Sequence, residues 1–300
     1  MNFELDKSIN QQIPIPEHYG VELFIKREDQ IHPFISGNKY RKLKYNIEEA
    51  KKQGFKKLLT FGGAFSNHIA AVAYAGKMYG FEAFGVIRGE ELKDKIGDNP
   101  TLRFAKDCGM TFQFVSRASY GEKENWNIKN DFQDFYSIPE GGTNALAIKG
   151  CEEILLKTDS DFDFICTSVG TGGTIAGLVN CSKPGQQVLG FLALKGSFLQ
   201  EDISKFVLKN NWKLILEYHF GGYAKINLEL IRFINEFNKK YHIPLDPVYT
   251  GKMMFGVFDL IEKGYFPAGS KILAIHTGGL QGVKGMNDKL KYKKLPIIEI

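Results

Sequence analysis

The chain turns from an extended segment into a helical pattern at Ser36-Gly37-Asn38-Lys39-Tyr40-Arg41-Lys42-Leu43. The extended segment is 21–27, and the apolar residues of the helical pattern recur until Gly54. Lys39 therefore comes at the start of a helix, where a loop can direct its amine into a cleft. Burial beside the cations Arg41 and Lys42 lowers the pKa of such an amine and makes it a nucleophile for carbonyl groups. The alternative is a solvated lysine in a basic first turn.

The remainder of the chain alternates between short apolar segments and helical segments, with glycines where many of the helical segments stop. Strands are predicted at 57–61, 84–88, 112–115, 135–138, 164–169, 188–192, 214–216 and 272–275, and helices at 69–79, 101–108, 145–156, 174–180, 199–208, 228–241 and 253–261. This alternation predicts parallel sheets with helices on both faces. We expect an α/β protein of two lobes with a cleft between them. Residues 117–131 are polar and are predicted to form a surface loop.

Length, charge and cysteine content indicate how many domains the chain forms and which partners are expected. The 300 residues are enough for one large or two medium domains, and the net charge of +5 is mild. Four lysines between 289 and 294 indicate a solvated tail and not a nucleic-acid site. Four widely spaced cysteines predict reduced thiols, with no metal site and no disulfide framework. Residues 1–13 lack an apolar segment and no stretch has the length of a membrane span, so we expect a cytoplasmic protein without a membrane partner.

A glycine-rich turn follows the predicted strand 164–169. Its sequence, Gly170-Thr171-Gly172-Gly173-Thr174, leads into a helix, and such a turn offers free backbone N–H groups and the positive helix end to a phosphate. A nucleotide P-loop would need a Gly-Lys-Ser/Thr that is missing here. A dinucleotide fingerprint would need glycine at position 175, which is isoleucine, and an acid within 190–196, where there is none. We therefore favour a monophosphate site over a nucleotide site, and a purely structural turn is the alternative.

Three further short motifs stand at predicted loop positions. Ser66-Asn67-His68 opens the helix 69–79, where it caps the helix or holds a small anion such as a carboxylate. Tyr249-Thr250-Gly251-Lys252 opens another helix, and His276-Thr277-Gly278-Gly279 follows the last predicted strand. In α/β proteins ligands bind at the carboxyl ends of strands, so these motifs are candidates for one site.

An amine, a phosphate turn and an anion-binding turn are what pyridoxal 5′-phosphate (PLP) requires. With these motifs the chain resembles the 1-aminocyclopropane-1-carboxylate (ACC) deaminase and D-cysteine desulfhydrase family, which has the tryptophan-synthase-β type of PLP fold, fold type II. The matching segments occur in family order at 26–29, 36–43, 66–68, 99–100, 139–144, 170–178, 246–251 and 276–279. The resemblance implies PLP between two lobes, a large domain of 1–45 plus 143–300, a smaller α/β domain of 46–142, and a homodimer.

The resemblance also assigns roles to individual residues. Lys39 would form the Schiff base with PLP and move protons, and Asn67 would bind the 3′-oxygen of the pyridine ring. The phosphate would be held by Gly170, Thr171, Gly172, Gly173 and Thr174, helped by Lys42. The carboxylate of a small amino-acid substrate would be held by Ser66, Asn67 and His68, and Ser66 would also be placed to move protons. Tyr223 and Tyr249 match the two tyrosines of the active site, the latter also contacting substrate.

The choice of substrate depends on Thr250 and Thr277. ACC deaminases of this family have glutamate and leucine at the matching positions, and the glutamate keeps the ring nitrogen protonated. Opening a cyclopropane, which has no good leaving group, needs that stronger electron sink, whereas β-elimination of a thiolate does not. Two threonines therefore favour a D-cysteine desulfhydrase that yields pyruvate, ammonia and hydrogen sulfide. The alternatives are ACC deaminase (2-oxobutanoate plus ammonia), β-replacement or racemisation, and an α/β protein that binds a phosphorylated metabolite without catalysis.

Overall fold

Two mostly parallel β-sheets form the framework of the protein. The computed structural model describes residues 3–122, 134–196 and 199–300. The strands are β1 (Asn10–Ile13), β2 (Glu22–Lys26), β3 (Lys57–Gly63), β4 (Glu82–Arg88), β5 (Thr111–Val115), β6 (Phe135–Ile138), β7 (Phe164–Val169), β8 (Gln187–Leu192), β9 (Trp212–Ile215) and β10 (Lys271–Ile275). The larger sheet has the order β1-β2-β10-β7-β8-β9 and the smaller one β5-β4-β3-β6. β1 runs antiparallel to β2, and the other neighbouring strands are parallel.

Helices cover both faces of the larger sheet. The α-helices are α1 (Asn38–Lys52), α2 (Asn67–Tyr79), α3 (Pro100–Asp107), α4 (Arg117–Gly121), α5 (Ala145–Cys151), α6 (Gly173–Cys181), α7 (Leu199–Ser204), α8 (Leu228–Tyr241), α9 (Thr250–Glu262) and α10 (Gly282–Tyr292). Along β10, Ile272 and Ala274 join the core under α8, α9 and α10, while Leu273 and Ile275 join the core under α6. This alternation is the two-residue period of a strand that is buried on both faces. The predicted α/β class with two parallel sheets is confirmed.

The loop before α1 is pressed against the segment that follows β10. Gly37 has φ +56°, and a Cβ there would lie 2.2 Å from the carbonyl oxygen of Thr277. Only glycine allows this approach together with the left-handed backbone. Tyr40 and Leu43 of α1 pack into the core of the smaller sheet. The start of α1, with Lys39, is therefore placed between the two sheets.

Among the elements named above, β1, α4 and α10 were not predicted, and β1 and α10 form through contacts that local patterns do not reveal. β1 has the sequence Asn-Gln-Gln-Ile and buries Ile13 alone, so its pairing with β2 makes it a strand. The lysine-rich segment predicted as a solvated tail is partly helical, because Val283, Met286 and Leu290 bury one face of α10.

Two predicted helices end earlier than expected. The helix predicted over 145–156 ends at Cys151 and that over 199–208 ends at Ser204. Leu156 and Leu208 are 52% and 82% exposed, so neither apolar side chain extends a buried helix face. The loop predicted over 117–131 begins with α4, and its residues 123–131 lie outside the described part of the chain. The domain boundaries at 45/46 and 142/143 stay a prediction. Among the described residues, no helix is both long and apolar enough to cross a membrane.

The contact between α1 and α5 generates a stability prediction. A Cβ at Gly150 of α5 would lie 1.9 Å from the carbonyl oxygen of Arg41 in α1. Ala usually stabilises a helix relative to Gly, but here overpacking dominates, so Gly150→Ala should lower the free energy of unfolding by about 1–3 kcal/mol. Gly97→Ala is the matched control, since nothing lies within 4 Å of its Cβ position. Denaturant unfolding measures both, and a Gly150→Ala protein more stable than wild type would contradict the packing described here.

Candidate active site

Lys39 stands in the first turn of α1 and is partly buried. The Nζ atom donates to Asn38 Oδ1 at 3.3 Å, and Asn38 Nδ2 donates to Thr174 Oγ1 at 2.9 Å, which ties α1 to the glycine turn. Loss of water contact, helped by the charge of Lys42, lowers the pKa of Lys39 to about 7. A large fraction of the amine is therefore neutral near neutral pH, as a nucleophile for carbonyl groups must be.

Lys42 lies one turn further along α1 and reaches the glycine turn. Its Nζ atom donates to Gly141 O at 2.9 Å, to Thr143 Oγ1 at 3.2 Å and to Thr171 Oγ1 at 3.3 Å. Burial lowers the pKa of Lys42 as well. Since all three acceptors are neutral oxygens, the positive charge is not neutralised by them and stays available to an anion.

The turn 170–174 joins β7 to α6 and has the form of an anion site. Gly172 adopts φ +83°, and α6 begins at Gly173, where backbone N–H groups face outward. A Cβ at Gly173 would lie 3.2 Å from Lys42 Nζ and 2.8 Å from Thr143 Oγ1. Glycine thus lets a buried cation and a hydroxyl approach the backbone of the turn, a combination that suits a phosphate group.

Ser66 and His68 both have structural partners at the start of α2. Ser66 Oγ accepts hydrogen bonds from the backbone N–H groups of His68 and Ile69, at 3.2 and 3.3 Å, so it caps the helix. Its own hydroxyl proton is still free to be donated.

The His68 ring points away from Ser66, into the smaller sheet. Its Nε2 atom lies 2.9 Å from Thr60 Oγ1, whose single proton is donated to Ile138 O at 3.0 Å. Nε2 must therefore be the donor to Thr60. Burial and the charges of Lys39 and Lys42 hold the pKa of His68 well below its usual value. A neutral ring has no charge with which to attract a carboxylate.

Asn67 lies opposite Asp246, on either side of Gly279. A Cβ at Gly279, where φ is +98°, would lie 2.9 Å from Asn67 Nδ2 and 3.3 Å from the Asp246 carboxyl carbon. Within the described residues, Asn67 Oδ1 is buried without a hydrogen-bond partner. A buried amide with unmet bonding capacity beside a glycine-made space fits the polar edge of a bound ring.

Tyr223 and Tyr249 form a pair at the glycine turn. Their ring centroids are 6.2 Å apart in an edge-to-face arrangement, and a Cβ at Gly170 would lie 3.0 Å from the Tyr249 ring. Burial raises the pKa of both phenols, most strongly that of Tyr249. Both hydroxyls are therefore protonated near neutral pH and can donate hydrogen bonds.

Asp246 is a buried carboxylate whose part in the site the sequence reading missed. Its Oδ1 atom accepts from the N–H groups of Val248 and Tyr249 at 2.9 and 2.8 Å, and its Oδ2 atom accepts from Thr250 N at 2.8 Å and Thr250 Oγ1 at 2.7 Å. An aspartate shortly before a helix is a recognisable capping signal, and Asp246 lies four residues before the start of α9. Thr250 Oγ1 also accepts from Asp246 N at 3.0 Å. With its proton committed to Asp246, the Thr250 hydroxyl can only accept a hydrogen bond from a ligand.

Thr277 completes the set of predicted residues. It is buried after β10, with Oγ1 3.4 Å from Ser168 Oγ and its carbonyl against Gly37. The predicted site therefore falls into connected groups. Lys39, Lys42 and 170–174 are linked through Asn38 and the threonine hydroxyls. Asn67 and Asp246 both approach Gly279, and Asp246 in turn bonds Thr250. The His68 side chain is the member that points elsewhere, and the residue roles themselves stay predictions.

The charge of Lys42 generates a prediction about Lys39. Because the cation of Lys42 opposes protonation of Lys39, Lys42→Met should raise the pKa of Lys39 above the wild-type value of about 7. Competitive labelling with trace acetic anhydride across a pH series, read by peptide mass spectrometry, measures that pKa directly. Lys52→Met, on the exposed face of the same helix, should leave it unchanged. An unmoved Lys39 pKa in Lys42→Met would show that desolvation acts alone.

Comparison with known proteins agrees with this geometry. A family model described as "Pyridoxal-phosphate dependent enzyme" matches residues 10–278. A putative 1-aminocyclopropane-1-carboxylate deaminase of Pyrococcus horikoshii is 34% identical, covering 93% of this chain and 91% of the relative. The mitochondrial bifunctional D-cysteine desulfhydrase/1-aminocyclopropane-1-carboxylate deaminase of Arabidopsis thaliana is 31% identical, covering 90% of this chain and 75% of the relative.

Among solved structures, an ACC deaminase homologue superposes with a TM-score of 0.82 at 30% identity, covering 95% of this chain and 93% of that one. The sequence-based expectation of a PLP enzyme is thereby confirmed, and binding without catalysis is set aside. This chain belongs to the pyridoxal-phosphate-dependent enzyme family, within the group that contains the ACC deaminases and D-cysteine desulfhydrase.

Proposed function

We propose that this PLP-dependent enzyme is a lyase that eliminates the β-substituent of a small amino acid, and that D-cysteine is its best substrate. The products would be pyruvate, ammonia and hydrogen sulfide. The observation that carries the proposal is the pair Thr250 and Thr277, buried hydroxyls at the two positions that the family resemblance places near the ring nitrogen. A homodimer and a cytoplasmic location stay predictions.

The cofactor would be held by residues of α1, of the start of α2 and of the glycine turn. When bound, PLP supplies an electron sink for the charge left when a substrate loses its α-proton. The turn 170–174 and Lys42 would bind the phosphate, since the free N–H groups and the buried cation meet there. Asn67 would donate from Nδ2 to the 3′-oxygen, and Lys39 would be the point of attachment.

Proton transfer would be divided among Lys39, Ser66 and the two tyrosines. A pKa of about 7 lets the Lys39 amine accept and return the α-proton without a large free-energy difference. Ser66 keeps a hydroxyl proton that its capping role does not use. Tyr223 and Tyr249 stay protonated because burial raises their pKa values, so either can donate to a departing thiolate.

Carboxylate binding would rely on the backbone at the start of α2 together with Asn67. This end of the helix carries partial positive charge and N–H groups that a carboxylate can accept from. The neutral His68 ring, bonded to Thr60, would contribute through its position in the helix and not through charge.

ACC deamination is the second candidate function, and Asp246 favours it. Its carboxylate lies one hydrogen bond behind Thr250, with Oδ2 2.7 Å from Thr250 Oγ1. Since that hydroxyl can only accept from a ligand, it would suit a protonated ring nitrogen, which is the stronger electron sink. Relatives such as the Pyrococcus protein carry the ACC deaminase name as well. The threonines and Asp246 therefore point to different substrates.

A side-by-side assay separates the two functions. The purified, PLP-loaded protein is given D-cysteine, L-cysteine and ACC in parallel, and hydrogen sulfide, pyruvate and 2-oxobutanoate are quantified. We expect hydrogen sulfide and pyruvate from D-cysteine at the highest kcat/KM. A higher kcat/KM with ACC would overturn the proposed substrate and assign the Asp246–Thr250 pair to ring protonation.

Lys39→Ala tests the attachment point. The variant should lose the yellow colour of the loaded enzyme and at least about 10²–10⁴-fold in kcat, the range expected for removal of a catalytic base. Lys52→Ala on the same helix should keep both. A yellow, active Lys39→Ala protein would exclude Lys39 as the attachment point.

A further inference from the structure

Lys252 is a buried cation that the proposed chemistry does not use. It lies on α9, two residues after Thr250, and is 1% exposed. Its Nζ atom donates to three backbone carbonyl oxygens: Ala193 at 3.2 Å, His219 at 2.9 Å and Gly222 at 2.8 Å. An ammonium group has three N–H donors, whereas the neutral amine has two, so the three carbonyls match the charged form.

Burying this charge is costly, because the acceptors are neutral dipoles and water is excluded. The same cost lowers the pKa of Lys252 to about 8, with Asp246 acting in the opposite direction. A methionine would fill similar space without that cost. The ammonium must therefore provide an interaction that an apolar side chain cannot, namely hydrogen bonds to the three carbonyl oxygens.

Two of the carbonyls belong to a turn with an unusual backbone. Positive φ angles occur at Phe220 (52°), Gly221 (89°), Gly222 (122°) and Ala224 (52°). Non-glycine residues in this region cost about 1–3 kcal/mol each and persist when their surroundings hold them. The turn lies between β9 and α8, where each of these carbonyls accepts a single backbone hydrogen bond, His219 O from Gly222 N at 3.0 Å and Gly222 O from Lys225 N at 3.2 Å. Lys252 supplies a second donor to each and ties the turn to α9.

Tyr223 is part of this same turn, directly after Gly222. Its ring packs edge-to-face on Tyr249, the residue that precedes α9. The third carbonyl, that of Ala193, directly follows β8 of the larger sheet. One ammonium therefore joins the sheet, the turn and the helix that together hold both tyrosines.

We propose that Lys252 is a positioning residue, an internal cation that gathers three carbonyls and so holds the 219–224 turn and Tyr223 against Tyr249. It follows that removing the side chain leaves a carbonyl-lined site for a small ammonium ion. The effect on catalysis rests on the proposed role of Tyr223, whereas the effect on the turn does not.

Two variants of the PLP-loaded protein test this. Lys252→Ala removes the side chain and leaves a cavity, and Lys252→Met keeps the volume without donors. Hydrogen exchange of peptides that cover 216–226 should become at least tenfold faster in both, with exchange of β7 and β8 peptides unchanged. Added methylammonium should restore slow exchange in Lys252→Ala alone, because methionine fills the cavity. Exposed Lys239→Ala is the matched control and should behave as wild type.

Activity provides the second readout. The variants should lose kcat at least tenfold with little change in KM, and methylammonium should restore kcat in Lys252→Ala, whereas tetramethylammonium, which has no N–H, should not. Wild-type exchange in a folded Lys252→Met would overturn the proposal, and so would equal rescue by tetramethylammonium.

If the variants do not fold, refolding of Lys252→Ala that requires methylammonium supports the proposal, and failure to refold with methylammonium overturns the proposal. Altered exchange with unaltered kcat would instead count against the role of Tyr223.

Discussion

The site depends on shielding one lysine amine from water beside a second cation. Lys39 and Lys42 stand one turn apart on α1; burial lowers both pKa values, and repulsion by Lys42 lowers that of Lys39 further. Such an arrangement is unfavourable in isolation, so the surrounding structure must hold it. A buried ion pair does so: Arg41 donates to Glu28 Oε2 at 2.8 Å and Oε1 at 2.7 Å, and Gly37 N donates to the Glu28 carbonyl. The first turn of α1 is thereby anchored on the side away from the cleft.

Neutral oxygens surround the two buried lysines Lys42 and Lys252. Lys42 donates to a carbonyl and two threonine hydroxyls, and Lys252 donates to three carbonyls. The nearby carboxylate, Asp246, is occupied by backbone N–H groups and by Thr250. Lys42 therefore retains its positive charge beside the glycine turn, and the Asp246 carboxylate acts through the Thr250 hydroxyl. Thr250 therefore has to be interpreted together with Asp246, because its hydroxyl proton is donated to that carboxylate.

Most of the fold follows from local patterns in the chain. Apolar segments such as 164–169 and helical spacing such as that of 228–241 correspond closely to β7 and α8, because buried strands and amphipathic helices need those patterns. β1 is different, since three of its four residues are polar and the strand exists through pairing with β2. Two helices end at Cys151 and Ser204, ahead of the apolar residues Leu156 and Leu208, whose exposure is a property of the packed structure.

The sequence by itself determined the chemical inventory of the site: the lysine at the start of α1, the glycine turn after β7 and the motifs at the other loop positions. Each is a local signal, because glycines, caps and helix starts act on neighbouring residues. Only the tertiary structure decided how those groups are coupled. The pKa of Lys39, the inward direction of His68 and the three carbonyls on Lys252 all depend on burial and on partners, several of them distant in the chain. Desolvation and hydrogen bonding are set by which atoms the fold brings together, and no local spacing encodes that.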